Sequence, residues 1–592
     1  MPGILGLLTS LNDTHRDKLI LGGFEDKDLL IYQDRWISLG AKERENGPSA
    51  LSIFQGHDNV CVLYGHCLDP KAGIRIGAEY FLNQWASERK QLLDRLEGAF
   101  HFSIWDKRAK KLTIGNDRIG ILPLYWHSDR DLFSFAPRMM LLARKNQSWN
   151  PAPGAVINFL SVGHYLGPST QTKQARLLTP ATILSIEFER FEVEETRYWN
   201  LVYSAEEDTP KNEHRKRLGE AILETVDLMT KPEEGDSGIF LSGGWDSRSI
   251  LGAAIKLDRI PKRVISNGIS DQIPYSDTWM SKKIAHDCNI PYWFCQRTPD
   301  VDSRLWLDGV RVGEITTANN PESFGQHLIS PECFSDLAYV LKGDVTWGSG
   351  DRARSRVMSI GKIIPYPLMD KVKRVLHPDL TAEADELYES EIDGVMKYCE
   401  NTDWTDRRDY LWQMGGINRY ILGLGISDEE HTQVRRPLLS GKVFNVYTRV
   451  PQRLRVLKNL FIETIKYNHP HLFKYGRNHA SNIANYYYYM APFVRERTLQ
   501  HLEAGHNLGG LLDIGECKKV ITNFNPLKEI LQSPKIRNRI YYKFHDRYSY
   551  LWHRSKYFKE KNSKVFKTSD TMLAFHIYLL IEWFHGNAIY VE

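Results

Sequence analysis

Along the first 200 residues, short apolar stretches alternate with Gly, Asp and Asn turn signals. Stretches 60–63, 101–105 and 111–114 read as strands. Two segments, 77–96 and 155–162, instead carry apolar residues at helical spacing. This is the profile of stacked antiparallel sheets with helices on their faces. The pattern changes near residue 205, where 204–216 is charged, holds a proline and lacks apolar periodicity, which predicts a domain junction there. Domains are therefore expected at 1–205 and 206–592. Past the junction the rhythm is strand, loop, helix: strands at 238–241 and 264–266, helices at 248–256 and 278–288. Strands alternating with helices imply a parallel sheet. From about 380 onward the chain reads as mostly helical and rich in Tyr, Trp, Lys and Arg.

Composition narrows the class without naming a function. The 592 residues carry 77 basic and 73 acidic side chains, a net charge of +4, too small for a chain built to coat nucleic acid. The longest apolar candidate, 572–584, contains His576 and Glu582 and is shorter than the roughly 18 residues of a bilayer span. The start, MPGILGLLTSLND, lacks the basic opening and long apolar core of a signal peptide. Seven cysteines with no CxxC pair argue against a disulfide framework or a zinc site. A soluble, cytoplasmic, multidomain protein is expected.

The chemistry concentrates at Ser242-Gly243-Gly244-Trp245-Asp246-Ser247, between a predicted strand and a predicted helix. Two glycines let backbone approach phosphate oxygens, and a helix N-terminus favours negative charge. Ser242 and Ser247 can donate hydroxyl hydrogen bonds, and Asp246 can hold a magnesium ion that bridges phosphates. An ordinary capped turn is the bland alternative, but the strand–loop–helix context favours a nucleotide site. No Gly-Lys-Ser/Thr follows, so this is not the Walker loop. It resembles the pyrophosphate loop of the ATP-pyrophosphatase superfamily, whose members cleave ATP between the α- and β-phosphates to activate a substrate as an adenylate.

The flanking half resembles the glutaminase half of asparagine synthetase B. The likeness rests on Leu96-Glu97-Gly98-Ala99-Phe100 with Trp105-Asp106, then Asn116-Asp117-Arg118-Ile119-Gly120 with Pro123-Leu124-Tyr125. It implies an α/β fold: an N-terminal-nucleophile (Ntn) α/β/β/α sandwich followed by a parallel α/β synthetase domain with a helical C-terminal portion. The start Met1-Pro2-Gly3-Ile4 matches the family's M-C-G-I except at the nucleophile, which here is Pro2. The family's N-G-E segment appears as Tyr64-Gly65-His66, and its R-x-L-S-I stretch as Ser49-Ala50-Leu51-Ser52-Ile53. A proline has no thiol to attack a glutamine amide, so this half is expected to be an inactive scaffold. The amine must then come with the substrate. Among ring-closing relatives of asparagine synthetase, the lasso-peptide macrolactam synthetases are the better likeness and the β-lactam synthetases the runner-up. A non-catalytic binding relative is a third reading.

From the resemblance, ATP and Mg2+ are the expected cofactors. Leu241, Ser242, Gly243, Gly244, Asp246 and Ser247 are expected to hold the nucleotide, with Ile265 and Ser266 facing adenine from the next strand's end. Trp347-Gly348-Ser349-Gly350-Asp351 is read as the second phosphate-contacting loop, with Gly348 and Gly350 touching nucleotide and Asp351 joining Asp246 on the metal. Val434-Arg435-Arg436-Pro437-Leu438-Leu439 resembles the family's V-R-x-P-F-L stretch, and Lys458, shortly after it, is the candidate lysine for the developing oxyanion and departing phosphate. Asp246 and Lys458 are the expected catalytic pair. A precursor peptide is the expected partner, with a leader peptidase and a leader-binding protein beside it. The basic, aromatic segment 541–567, with eight Lys/Arg against two acids, is read as peptide-facing rather than as a nucleic-acid surface.

Overall fold

The computed structural model describes residues 2–10, 30–44, 48–142, 149–298, 301, 313–318, 331–344, 350–361, 369–426, 428–476, 486–526 and 570–585. Residues 345–349 and the basic segment 541–567 lie outside them. The first half holds two antiparallel sheets. One runs β11 (Arg176–Leu177), β9 (Tyr125–Asp129), β10 (Leu132–Ala136), β1 (Gly3–Thr9), β3 (Ile37–Lys42), β2 (Leu30–Gln33). The other runs β13 (Val193–Arg197), β12 (Thr182–Glu187), β8 (Lys111–Asn116), β7 (Glu97–Asp106), β5 (Asn59–Asp69), β4 (Leu51–Gln55), with β6 (Ile74–Arg75) paired to β5.

Side chains alternate across each strand, and the alternation builds the layers. On β5, Val60, Val62 and Tyr64 join Ile4 and Leu8 of β1 in one core between the sheets. Cys61 and Leu63 face the other way, onto Phe81 of helix α1 (Ala78–Glu88) and Leu92 of α2 (Lys90–Arg95). Leu5 of β1 likewise turns outward, toward helix α3 (Pro153–Val162). The result is helix, sheet, sheet, helix. The predicted single helix over 77–96 is two helices, because Arg89 takes φ 40° and breaks the ladder between them. Gly98 has a physical reason to be glycine: it sits at φ +102°, and a Cβ there would run into the His66 carbonyl.

The second half carries a parallel sheet in the order β16 (Tyr292–Gln296), β15 (Arg263–Gly268), β14 (Ser237–Phe240), β17 (Tyr339–Lys342), β18 (Gln433–Arg435). Helices α4 (Lys211–Met229), α5 (Trp245–Lys256) and α6 (Asp277–Asp287) flank it. A helical portion follows with α7 (Pro378–Met396), α8 (Asn459–Asn468), α9 (Tyr486–Glu503), α10 (Ile514–Asn523) and α11 (Asp570–His585). Helix α11 packs on α9, α10 and, far back in sequence, α3. Two of its polar residues are matched inside the protein: His576 Nδ1 lies 3.0 Å from the Leu160 carbonyl, and Glu582 pairs with Arg497 at 3.1 Å. No helix among the described residues is long and apolar enough to cross a membrane.

The two halves interlock through polar groups. Glu97 accepts the Gly441 and Lys442 N–H groups at 2.9 and 3.0 Å, capping a short helix of the second half from the first. Glu314 accepts from the Met139 and Met140 N–H groups at 2.6 and 2.9 Å. Buried Arg419 donates to the Gly167 carbonyl at 2.9 Å.

Candidate functional site

Strand β14 ends at Phe240, and Leu241 still donates its N–H to the Ile265 carbonyl at 3.1 Å before the chain leaves the sheet. Helix α5 begins at Trp245, three residues before the predicted start, with Gly244 as an extended N-cap (φ −77°, ψ 159°) and no side-chain cap. An uncapped N-terminus leaves first-turn N–H groups to meet an anion. Asp246 and Ser247 lie in that first turn. The two serines brace the loop rather than standing free. Ser247 Oγ accepts the Ser242 N–H at 3.1 Å and lies 3.2 Å from Ser242 Oγ, which accepts the Gly244 N–H at 3.1 Å.

Two residues not assigned from sequence hold this loop from behind. Asp277, opening α6, accepts the Gly243 N–H at 2.7 Å. Arg248, fully buried, donates to the Gly243 carbonyl at 2.6 Å and the Leu472 carbonyl at 3.1 Å, and lies over the Trp245 ring at 4.5 Å. Trp245 stacks in turn on Phe473, centroids 4.5 Å apart. Burial lowers the Arg248 pKa to about 10, which leaves it charged near neutrality.

The sheet order places a topological switch at the β14/β17 seam, where open α/β sheets receive ligands beyond the strand ends. Strand β17 ends at Lys342, so Gly343 and Asp344 are what meets the loop. A Cβ on Gly343 would stand 2.7 Å from the Asp246 carbonyl carbon and from Ser247 Cα, and closer still to the Ser247 nitrogen. Gly343, opening the turn after β17, therefore lies against the loop, upstream of the Trp347–Asp351 stretch read from sequence. Asp344 is fixed there by Arg436, whose Nε lies 3.0 Å from its carboxylate. The signal for this turn was the strand end itself, which Gly and Ser spacing alone does not reveal.

The structure brings Lys458 and Asp246 together. The Lys458 ammonium donates to both carboxylate oxygens of Asp246, at 3.1 and 2.9 Å, with both side chains about one-fifth exposed. Leu457 and Lys458 take left-handed backbone (φ 57° and 58°) at the start of α8, which turns this lysine back to the loop. Gly350 adjoins them, its carbonyl accepting the Leu457 N–H at 3.2 Å. Gly348 lies outside the described residues. Asp351 is exposed, and its carboxylate accepts the neighbouring Arg352 N–H at 3.0 Å. At the sheet end, the Ile265 side chain is core, while Ser266 Oγ lies 2.7 Å from the Tyr292 hydroxyl. An uncapped helix, a first-turn carboxylate and an ammonium fit a magnesium-bound polyphosphate. Magnesium that arrives with phosphates needs only one or two protein carboxylates. Asp246 could supply one of them once Lys458 turns to the phosphates.

The region of the first half that the resemblance assigns to glutamine has no usable thiol. Tyr64, His66 and His101 are buried there, and the Tyr64 ring stacks on His101 at 5.6 Å. The cysteines of the same domain, Cys61 and Cys67, are buried on β5, and burial raises both thiol pKa values, Cys61 to about 12. Thiols so raised are not nucleophiles at neutral pH.

Residues 76–199 match a glutamine amidotransferase domain family. The chain is similar to the putative glutamine-hydrolysing asparagine synthetase 2 of Methanocaldococcus jannaschii, 27% identical over 260 residues, 42% of this chain and 48% of that protein. Over that stretch it is similar to an asparagine synthetase. The glutamine-hydrolysing asparagine synthetase 3 of Bacillus subtilis is 24% identical over 180 residues, 30% of this chain and 28% of the relative. The matched stretches thus span about half the length of the first relative and less of the second. The solved glutamine phosphoribosylpyrophosphate amidotransferase from B. subtilis, complexed with ADP and GMP, is 11% identical over 68% of this chain. Its TM-score of 0.21 is too low to bear on the fold.

Proposed function

We propose that this asparagine synthetase-like chain is an ATP-dependent carbon–nitrogen ligase that closes a macrolactam in a precursor peptide, as lasso-peptide cyclases do. The observation that carries the adenylating half is the convergence of Lys458 and Asp246 at an uncapped helix N-terminus on the sheet's switch point. The observation behind ring closure is Pro2, standing where the resemblance expects the ammonia-releasing cysteine.

In this reading an Asp or Glu side-chain carboxylate of the peptide attacks the α-phosphorus of ATP. The oxygen–phosphorus bond forms, the bond to the β-phosphate oxygen breaks, and pyrophosphate leaves. The peptide's α-amine then attacks the acyl carbon, the carbon–oxygen bond to AMP breaks, and the amine loses a proton. A peptide amine, with pKa about 7.7–8.0, is partly neutral near pH 7 and needs little help from a base. Positioning supplies most of the gain. The α5 terminus cradles pyrophosphate, Lys458 answers the charge developing on the leaving group, and Arg248 with Asp277 keeps the loop from yielding. Magnesium neutralises phosphate charge when bound, and Asp246 is the residue to hold it.

Pyrophosphate release with peptides bearing Asp or Glu several residues from a free N-terminus tests this, with mass spectrometry for the loss of one water. A leader peptidase and a leader-binding protein are the partners to add. Peptide-dependent release with dehydration supports the reading. Turnover only with single amino-acid derivatives would replace it with a small-molecule amide ligase, and absence of Mg-ATP binding would replace it with a binding relative.

A further inference from the structure

A chain of alternating buried charges runs from the first half to the nucleotide loop. Arg44, on the segment after β3, reaches Glu429 of the second half at 3.4 Å, both side chains under 5% exposed. The other oxygen of Glu429 accepts from Arg436 at 2.9 Å. The opposite edge of that guanidinium holds Asp344 at 3.0 Å, and Asp344 follows Gly343, which lies on the Asp246–Ser247 backbone.

Arg44 is poorly served where it stands. Its Nε and Nη1 have no hydrogen-bond partner among the described residues, and beyond Glu429 it finds the Tyr64 ring at 5.5 Å. A buried guanidinium with so few bonds costs stability, so its local environment does not account for it. Its effect on the next charges does. Arg436 serves two carboxylates, and Arg44 takes part of the demand from Glu429. Without Arg44, Glu429 would keep only Arg436 and the Val434 N–H, 3.4 Å from its other oxygen, and with its charge met by one cation Arg436 would loosen its hold on Asp344.

We propose that Arg44 is a positioning residue for the nucleotide site, acting through Glu429 and Arg436 to fix Asp344 beside the phosphate loop. The glutaminase-like half then contributes to the ligase reaction by lending a charge rather than by releasing ammonia. This rests on reading residues 242–247 as the nucleotide loop.

The test uses the full chain with Arg44→Met, Arg44→Lys, Asp344→Asn and the double variant Arg44→Met/Asp344→Asn. Misplacing a site group by about 1 Å costs up to ~100-fold. Arg44→Met should therefore slow peptide-dependent pyrophosphate release at least ~10-fold, with ATP affinity within about twofold. Arg44→Lys should recover most of the rate, and the double variant should be no slower than Asp344→Asn alone. Melting temperatures of the same four proteins without substrate should be non-additive, as for residues in one network. Should Arg44→Met not fold, Arg44→Gln alone and with Asp344→Asn completes the same cycle. Additive melting shifts, or an Arg44→Met enzyme at wild-type rate, overturn the proposal. A wild-type protein silent in every release assay would count against the ligase reading, and the melting cycle would still decide the charge chain.

Discussion

Replacing Gly343 by alanine tests the seam between strand β17 and the phosphate loop. The added Cβ would stand 2.7 Å from the Asp246 carbonyl carbon and from Ser247 Cα. Ordinary carbon contacts sit at about 3.5–4.0 Å, so the two backbones must part by roughly 1 Å. Both are main chain, so no side chain can swing aside. Overpacking of this kind costs about 1–3 kcal/mol, and a 1 Å displacement at a reacting site costs up to ~100-fold in rate. Gly343→Ala is therefore expected to lower the melting temperature by several degrees and to reduce pyrophosphate release ten- to a hundredfold (order of magnitude). Gly394→Ala is the internal control. That glycine is exposed in α7 with nothing within 4 Å of its Cβ position, and alanine there should stabilise by about 0.5–1 kcal/mol. Scanning calorimetry and a coupled pyrophosphate assay read both. A Gly343→Ala protein with wild-type melting and rate would refute the close approach of turn and loop.

Lys458→Met should cut pyrophosphate release by ~100–1,000-fold, as loss of an aimed cation does, with calorimetric ATP affinity much less affected. Pro2→Cys should leave glutamate release from glutamine at background, because Tyr64-Gly65-His66 stands where the resemblance expects the substrate-holding N-G-E segment. Glu97→Ala should cost about 1–2 kcal/mol in thermal unfolding, since it caps the Gly441 and Lys442 N–H groups across the two halves. Burial holds His164 and His576 at pKa about 4, below the ordinary value of about 6.5. The unfolded chain binds protons first, so stability intact above pH ~6.5 is lost as pH falls toward about 4, by roughly 3 kcal/mol per histidine. Urea melts across that range would show a flat line if these side chains were solvated.

Much of the fold was legible because strands and helices declare themselves through period and punctuation. Stretches 60–63, 101–105 and 111–114 fall inside β5, β7 and β8. Helix α5 was read as starting late because two glycines look like a turn. In the structure Gly244 is the cap, and the first helical turn already contains Asp246. Lys458 was legible from resemblance, but its contact with Asp246 depends on two left-handed residues that no propensity announces. The second loop was sought at Trp347–Asp351 by Gly and Ser spacing, a stretch most of which lies outside the described residues, whereas the approach of Gly343 to the first loop is set by where β17 ends. Arg248, Asp277 and the Arg44–Glu429 pair escaped because their partners are chosen by tertiary packing. Arg44 and Glu429 lie 385 positions apart.

That separation has a consequence on the ribosome. At about 5–20 residues per second, an N-terminal half completed near residue 205 waits roughly 10–45 s for Glu429 to be made. Glu97 waits slightly longer for its helix at Gly441. During that interval the unfinished face presents Arg44 and Glu97 to water. Charged groups tolerate such a wait, whereas an apolar seam of the same area would invite nascent chains to stick to one another. The buried ions of the joint cost desolvation in the finished protein but tolerate water until their partners arrive, whereas the apolar face of α3 that α11 later covers stands open for longer still.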